Sequence, residues 1–98
     1  MELSQEIKDY TQKKMDMLER YLGKIQVINC HVEIGLAVGG QKSGQIYRAE
    51  VNLDLPGELL RVERTAKDIF KAIDKVKDHL NMRIKKYKDK KIERKRKG

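Results

Sequence analysis

Ile69, Ile73, Val76, Leu80, Ile84 and Tyr87 recur at steps of three and four along the last third of the chain. That spacing is one face of an α-helix, and it requires a complementary apolar surface for the helix to sit on. The helix is expected to run from Thr65 to Lys97, with Thr65 as N-cap and Asp68 completing a capping-box-like arrangement. Turning about 100° per residue places Lys75, His79, Arg83, Lys86 and Lys90 along one flank of the stripe. Asp74, Asp78 and Asn81 fall on the other flank. A helix held by this stripe carries a basic edge beside the core.

The surface it needs is written upstream. Residues 4–22 read as a first helix capped by Ser4, with Glu6 in the first turn and Gly23 as the stop. Ile7, Thr11, Met15, Leu18 and Leu22 share its apolar face, while Lys13, Arg20 and Lys24 lie on another flank with Met17. From Ile28 to Val38 the period becomes two, so Ile28, Cys30, Val32, Ile34, Leu36 and Val38 form the buried side of a long strand. Cys30 is expected to point into the core as a small apolar residue. The glycine-rich stretch 39–44 reads as a hairpin connection. Tyr47, Ala49, Val51, Leu53 and Leu55 alternate in a second strand, Pro56-Gly57 turns the chain, and Leu60 and Val62 mark a third, shorter strand. The order α-β-β-β-α with short links implies an α+β two-layer sandwich, an antiparallel meander with both helices on one face. Its second helix is longer than its strands, so the basic end is expected to project past the sheet, ordering on a partner.

Charge is concentrated at that end. Residues 1–84 carry a net charge of +1 and residues 85–98 a net charge of +7, within a chain of 98 residues and +8 overall. The length suits a single domain, 1–98, with a basic helical extension from about 85. A nearly neutral body with a cationic extension suits a polyanionic partner such as RNA, DNA or an anionic membrane. One cysteine allows no internal disulfide, and the two histidines, His31 and His79, form no metal-ligand cluster. With no secretory signal and no apolar run of membrane-spanning length, a reducing, cytoplasmic setting is expected. Carboxylates are spread beside Lys and Arg, and Ser4 and Ser43 have no evident His-acid partners. The reading is therefore a binding protein, with no catalytic residues, cofactor, metal or small-molecule substrate.

The run Asp68-Ile69-Phe70-Lys71-Ala72-Ile73-Asp74 resembles the D-[apolar]-[Tyr/Phe]-x-A-I-D signature of ribosome hibernation promoting factors, also called ribosome-associated inhibitor or sigma modulation proteins. Glu2-Leu3-Ser4 through Lys14-Met15, Leu18-Glu19-Arg20-Tyr21, Leu55-Pro56-Gly57 with Leu60-Arg61, and Lys85 to Lys90 resemble other parts of the same family. The resemblance implies a β-α-β-β-β-α fold, although the opening strand normally preceding Glu2-Leu3-Ser4 has no counterpart in this sequence. An uncovered sheet edge is the expected consequence, with self-association or reduced stability following from it. For function it implies stoichiometric inhibition by the short form of the family, through binding ribosomal RNA of the small subunit where messenger RNA and transfer RNA pass. Lys86 and Lys90 match the family's basic contacts; His79 and Met82 stand where Lys and Arg are common, and Arg83 faces the same flank.

The candidate RNA-binding residues are thus Lys75, His79, Arg83, Lys86 and Lys90 on the second helix, with Lys13, Arg20 and Lys24 on and after the first. Phosphates are met by mobile Lys and fork-like Arg without reading of base sequence. Two other readings compete. A double-stranded RNA-binding domain shares the α-β-β-β-α order but places a Lys cluster where this chain has Thr65-Ala66-Lys67-Asp68. A basic amphipathic membrane anchor over 83–97 would have only Ile84, Tyr87 and Ile92 to insert.

Overall fold

The computed structural model describes residues 2–37 and 44–97, with side-chain surroundings as far as Lys91. Helix α1 (Gln5–Leu22) begins where the Ser4 hydroxyl accepts the Ile7 N–H at 3.2 Å. It ends at Gly23, whose φ of 58° is a backbone shape that β-carbons disfavour. Strands β1 (Asn29–Leu36), β2 (Tyr47–Leu55) and β3 (Glu58–Ala66) form one antiparallel sheet in the order β1-β2-β3. Helix α2 (Ile69–Lys97) closes the chain. The predicted hairpin at 39–44 and the inward position of Val38 lie outside the described residues, apart from Gly44.

Pro56-Gly57 joins β2 to β3, and Gly57 has the φ of 83° that the third position of a type II turn demands. The third strand is as long as the second, because the ladder continues past Val62 to Ala66, opposite Tyr47. Thr65 is therefore strand, paired with Arg48, and the N-cap of α2 is Asp68. Its carboxylate accepts the N–H groups of Phe70 and Lys71 at 2.7 and 3.4 Å.

Both helices lie on one side of the sheet. The core joins Leu18 and Leu22 of α1 to Ala49, Val51, Leu53 and Leu55 of β2, Leu60 and Val62 of β3, and the stripe of α2. Leu80 and Ile84 are wholly buried. Tyr87 ends the buried stripe, its hydroxyl donating to the Pro56 carbonyl at 2.6 Å and tying α2 to the β2–β3 turn. Tyr10 ties the helices together. Its hydroxyl donates to Asp74 at 2.5 Å, which raises its pKa, and its ring meets Phe70 edge-on at 4.9 Å.

The first strand departs from expectation. Cys30 is exposed, as are Ile28 and Leu36, while Val32 and Ile34 are only half-buried. Strand β1 is an edge, and α1 packs chiefly on α2, leaving a cavity of about 280 Å³ lined by Met15, Leu18, Leu22, Cys30 and Val32 among others. The apolar neighbours on one side still push the Cys30 thiol pKa up by desolvation.

Candidate nucleic-acid interface

The other face of the sheet is uncovered among the described residues and carries a row of like charges. Glu33, Glu50 and Glu63 stand side by side on the three strands. Arg48 reaches all three, at 3.7 Å from Glu33, at 3.2 Å from Glu63 and in close contact with Glu50. Arg61 adds a contact to Glu50 at 3.4 Å, and Asn52 donates to the same carboxylate at 3.1 Å. These contacts explain why Glu50, outward by its place in the alternation, is 7% exposed. The face is electrostatically satisfied from within and offers little to a polyanion.

The edge shared by β3 and α2 is different. Lys75 donates to the Thr65 carbonyl at 3.3 Å and Arg83 to the Arg61 carbonyl at 3.5 Å, so both cations lie over β3. Arg64 occupies the inward register of β3, beyond the last buried residue of that strand, and its guanidinium meets Nδ1 of His79. Burial lowers the His79 pKa, and the charges of Arg64, Arg83 and Lys86 lower it further. A neutral imidazole can accept from Arg64, so His79 serves this edge by holding a guanidinium rather than as a cation. Lys75, Arg83 and Lys86, all on the flank expected from sequence, are brought together here with Arg64. Lys90 lies further along the same flank, 3.9 Å from Glu58, which partly offsets its charge.

A second cationic group gathers where α1 ends. Lys24, Lys88 and Lys91 border an open cavity of about 660 Å³ with Gly23 and Pro56. The neighbouring surface, lined by Tyr21, Met82, Lys85 and Lys88, holds a cavity of about 300 Å³. Tyr21 is 49% exposed, whereas Tyr10 is engaged by Asp74, Phe70 and Lys14. Any aromatic stacking on this side therefore falls to Tyr21. Lys13 and Arg20 stand exposed on α1, outside both groups.

Sequence reading missed Arg64, Lys88 and Lys91. Arg64 was legible in principle, since it is two residues beyond Val62 and must share its face. Lys88 and Lys91 required knowledge of where α1 ends against α2.

The chain matches, over residues 1–92, the family described as Sigma 54 modulation protein / S30EA ribosomal protein. It belongs to this family. Among solved structures, the N-terminal domain of Protein Y from Thermus thermophilus is 33% identical, with a TM-score of 0.67 over 89% of this chain and 88% of that one. A ribosomal subunit interface protein from Coxiella burnetii shares the fold at a TM-score of 0.71, covering 91% of this chain and 89% of that one, with 20% identity. A ribosome hibernation promotion factor from Deinococcus radiodurans is 27% identical across the whole of this chain. The chain spans half the length of that relative. The α+β sandwich read from the sequence agrees with these folds, with three strands among the described residues where the resemblance implies four. No helix among the described residues is long and apolar enough to cross a membrane.

Proposed function

We propose that this chain is a stoichiometric ribosome-binding hibernation factor that occupies the messenger and transfer RNA channel of the small subunit, in the cytoplasm and without catalysis. The observation carrying this reading is the β3–α2 edge, where Arg64, Lys75, Arg83 and Lys86 converge next to a sheet face whose charges, Arg61 among them, are internally paired. Such an edge meets the phosphates of folded RNA by position and shape, without base readout. Membership of the S30EA family and likeness to a protein named as a ribosome hibernation promotion factor support the same partner. The acidic N-cap Asp68 at the start of α2 disfavours a generic double-stranded RNA-binding domain, which needs cations there.

Co-sedimentation with purified small subunits, free duplex RNA and anionic vesicles tests the reading. Saturable binding to subunits at one copy each is expected, competed by messenger RNA or transfer RNA. Arg83→Glu with Lys86→Glu should weaken that binding by roughly 100-fold, at about 1–3 kcal/mol per lost charged contact, while circular dichroism is unchanged. Binding to vesicles but not to subunits, or no effect of the double reversal, overturns the assignment.

A further inference from the structure

Tyr21 of α1 and Asn81, Met82, Ile84, Lys85 and Lys88 of α2 line a cavity of about 300 Å³, with no strand residue in its wall. It lies between the helices and owes nothing to either edge of the sheet. Asn81, Lys85 and Lys88 follow at steps of four and three, so they share one face of α2. Tyr21 is 49% exposed and Met82 58%, so an aromatic ring and a thioether stand open beside the wholly buried Ile84. Asn81 adds an independent observation, because its Oδ1 is shut off from solvent without a hydrogen-bond partner. Folded proteins rarely leave such an atom unpaired. A half-turn of the amide exchanges Oδ1 with Nδ2, so the side chain can offer an acceptor or a donor to a ligand.

Charge decides the class of ligand. Toward the start of α2 the cations are matched within the protein, Lys14 by Asp74 and Lys77 by Asp78, at 3.3 Å each. At the cavity the lining charges are Lys85 and Lys88, and Lys88 also borders the next cavity with Lys24 and Lys91. An apolar slot rimmed by ammonium groups suits a flat, neutral ring carried on an anionic backbone. Single-strand binders join these same two parts, an aromatic platform for bases and a cationic track for phosphates. An apolar peptide side chain would fill the slot but leave its lysines unmatched. The volume is at the small end of ligand clefts, which run from roughly 300 to 1,000 Å³, and suits one ring rather than a duplex. We infer that the cavity receives one unpaired nucleobase of RNA, stacked on the Tyr21 ring with its edge toward Asn81 and its flanking phosphates on Lys85 and Lys88. This second contact presupposes the RNA-binding half of the proposed function, and it lies on the opposite flank of α2 from Arg83 and Lys86. The β3–α2 edge meets folded RNA by shape, whereas this slot takes a base splayed out of a loop or bulge.

Free single-stranded RNA tests the slot without the ribosome. The 98-residue chain is titrated at low salt with an oligoadenylate of about eight nucleotides and followed by NMR. Upfield shifts of the Tyr21 ring and the Met82 methyl, with a shifted Asn81 side-chain amide, are expected. Tyr21→Leu keeps apolar surface but no ring and should weaken binding roughly 10-fold, whereas Tyr21→Phe should change it by less than about 2-fold. An abasic oligomer of equal length keeps only the phosphates. It should bind the parent and Tyr21→Leu alike, roughly 10-fold more weakly than oligoadenylate binds the parent. No binding of oligoadenylate, or equal affinity for the abasic oligomer, overturns the proposal. Shifts of the same signals with protein concentration alone would make the occupant a second copy and overturn it too. Small subunits are measured in parallel. Subunit binding beside an oligonucleotide affinity blind to Tyr21 sinks the slot and leaves the ribosome assignment standing, while oligonucleotide binding through Tyr21 without subunit binding does the reverse.

Discussion

Arg48 is what allows three glutamates to stand abreast on neighbouring strands. Its guanidinium is the shared partner of Glu33, Glu50 and Glu63, and Glu50 is nearly inaccessible to solvent. Arg48→Ala would leave that carboxylate with Arg61 and Asn52 alone. A loss of about 1–3 kcal/mol in urea unfolding is expected, and Arg48→Lys should recover only part of it because one ammonium cannot fork to three partners. His79 gives a second prediction at this scale. Burial and the charges of Arg64, Arg83 and Lys86 hold its pKa below the usual 6.5 in the folded protein. As pH falls through 6.5 the unfolded chain therefore takes up the proton first, and this contribution to stability declines until the pH passes the folded value. Thermal unfolding between pH 8 and 5 should accordingly lose less stability in His79→Asn than in the parent, since other acid-sensitive groups are common to both. Glu50 and His79 also mark a limit of reading sequence. Alternation and helical period give a residue its face, and neither the burial of Glu50 nor the neutral role of His79 follows from a face. Each depends on a partner brought in from elsewhere in the chain, Arg48 in one case and Arg64 in the other.

The helix α2 was legible almost residue by residue because its stripe has a single solution at 3.6 residues per turn. Every member from Ile69 to Tyr87 is buried, and the flank assignments put Lys75 and Arg83 over β3 and Asp74 against α1. Its start was misread, since Thr65 and Asp68 are both good caps and only the β2–β3 register shows that Thr65 is committed to strand. Asp68→Ala should cost about 1 kcal/mol, whereas Thr65→Ala, at an exposed strand position, should stay within about 0.5 kcal/mol. At the centre of the stripe, Leu80→Ala empties a fully buried site and should cost about 2–5 kcal/mol. Strand β1 was overread for the opposite reason. Alternation tells which side of a strand is apolar but not whether anything covers it, and α1, leaning on α2, leaves Cys30 and Leu36 open. Replacing Leu36 with Lys should therefore change stability by no more than about 0.5 kcal/mol, a value that equilibrium unfolding in urea can read.

Across the whole molecule, charge is separated by surface. The open sheet face pairs its own charges, the β3–α2 edge accumulates cations, and the elongated form, 54 Å in its longest extent, places a second cationic group near the end of α1. Net charge alone cannot distinguish a diffuse cationic tail from such a directed surface, but salt dependence can. Each phosphate contact made by a cation releases counterions, so the slope of log affinity against log salt counts the cations engaged. With purified small subunits, Arg64→Ala plus Arg83→Ala should reduce that slope by about 1 for each cation lost. Lys13→Ala plus Arg20→Ala removes the same charge from positions outside both groups and should leave the slope nearly unchanged. Lys90→Ala should fall between them, because Glu58 already offsets part of its charge in the free protein. Equal reductions for the two double variants would mean that the chain is held by its overall charge, and the β3–α2 edge would lose its claim to be the contact surface.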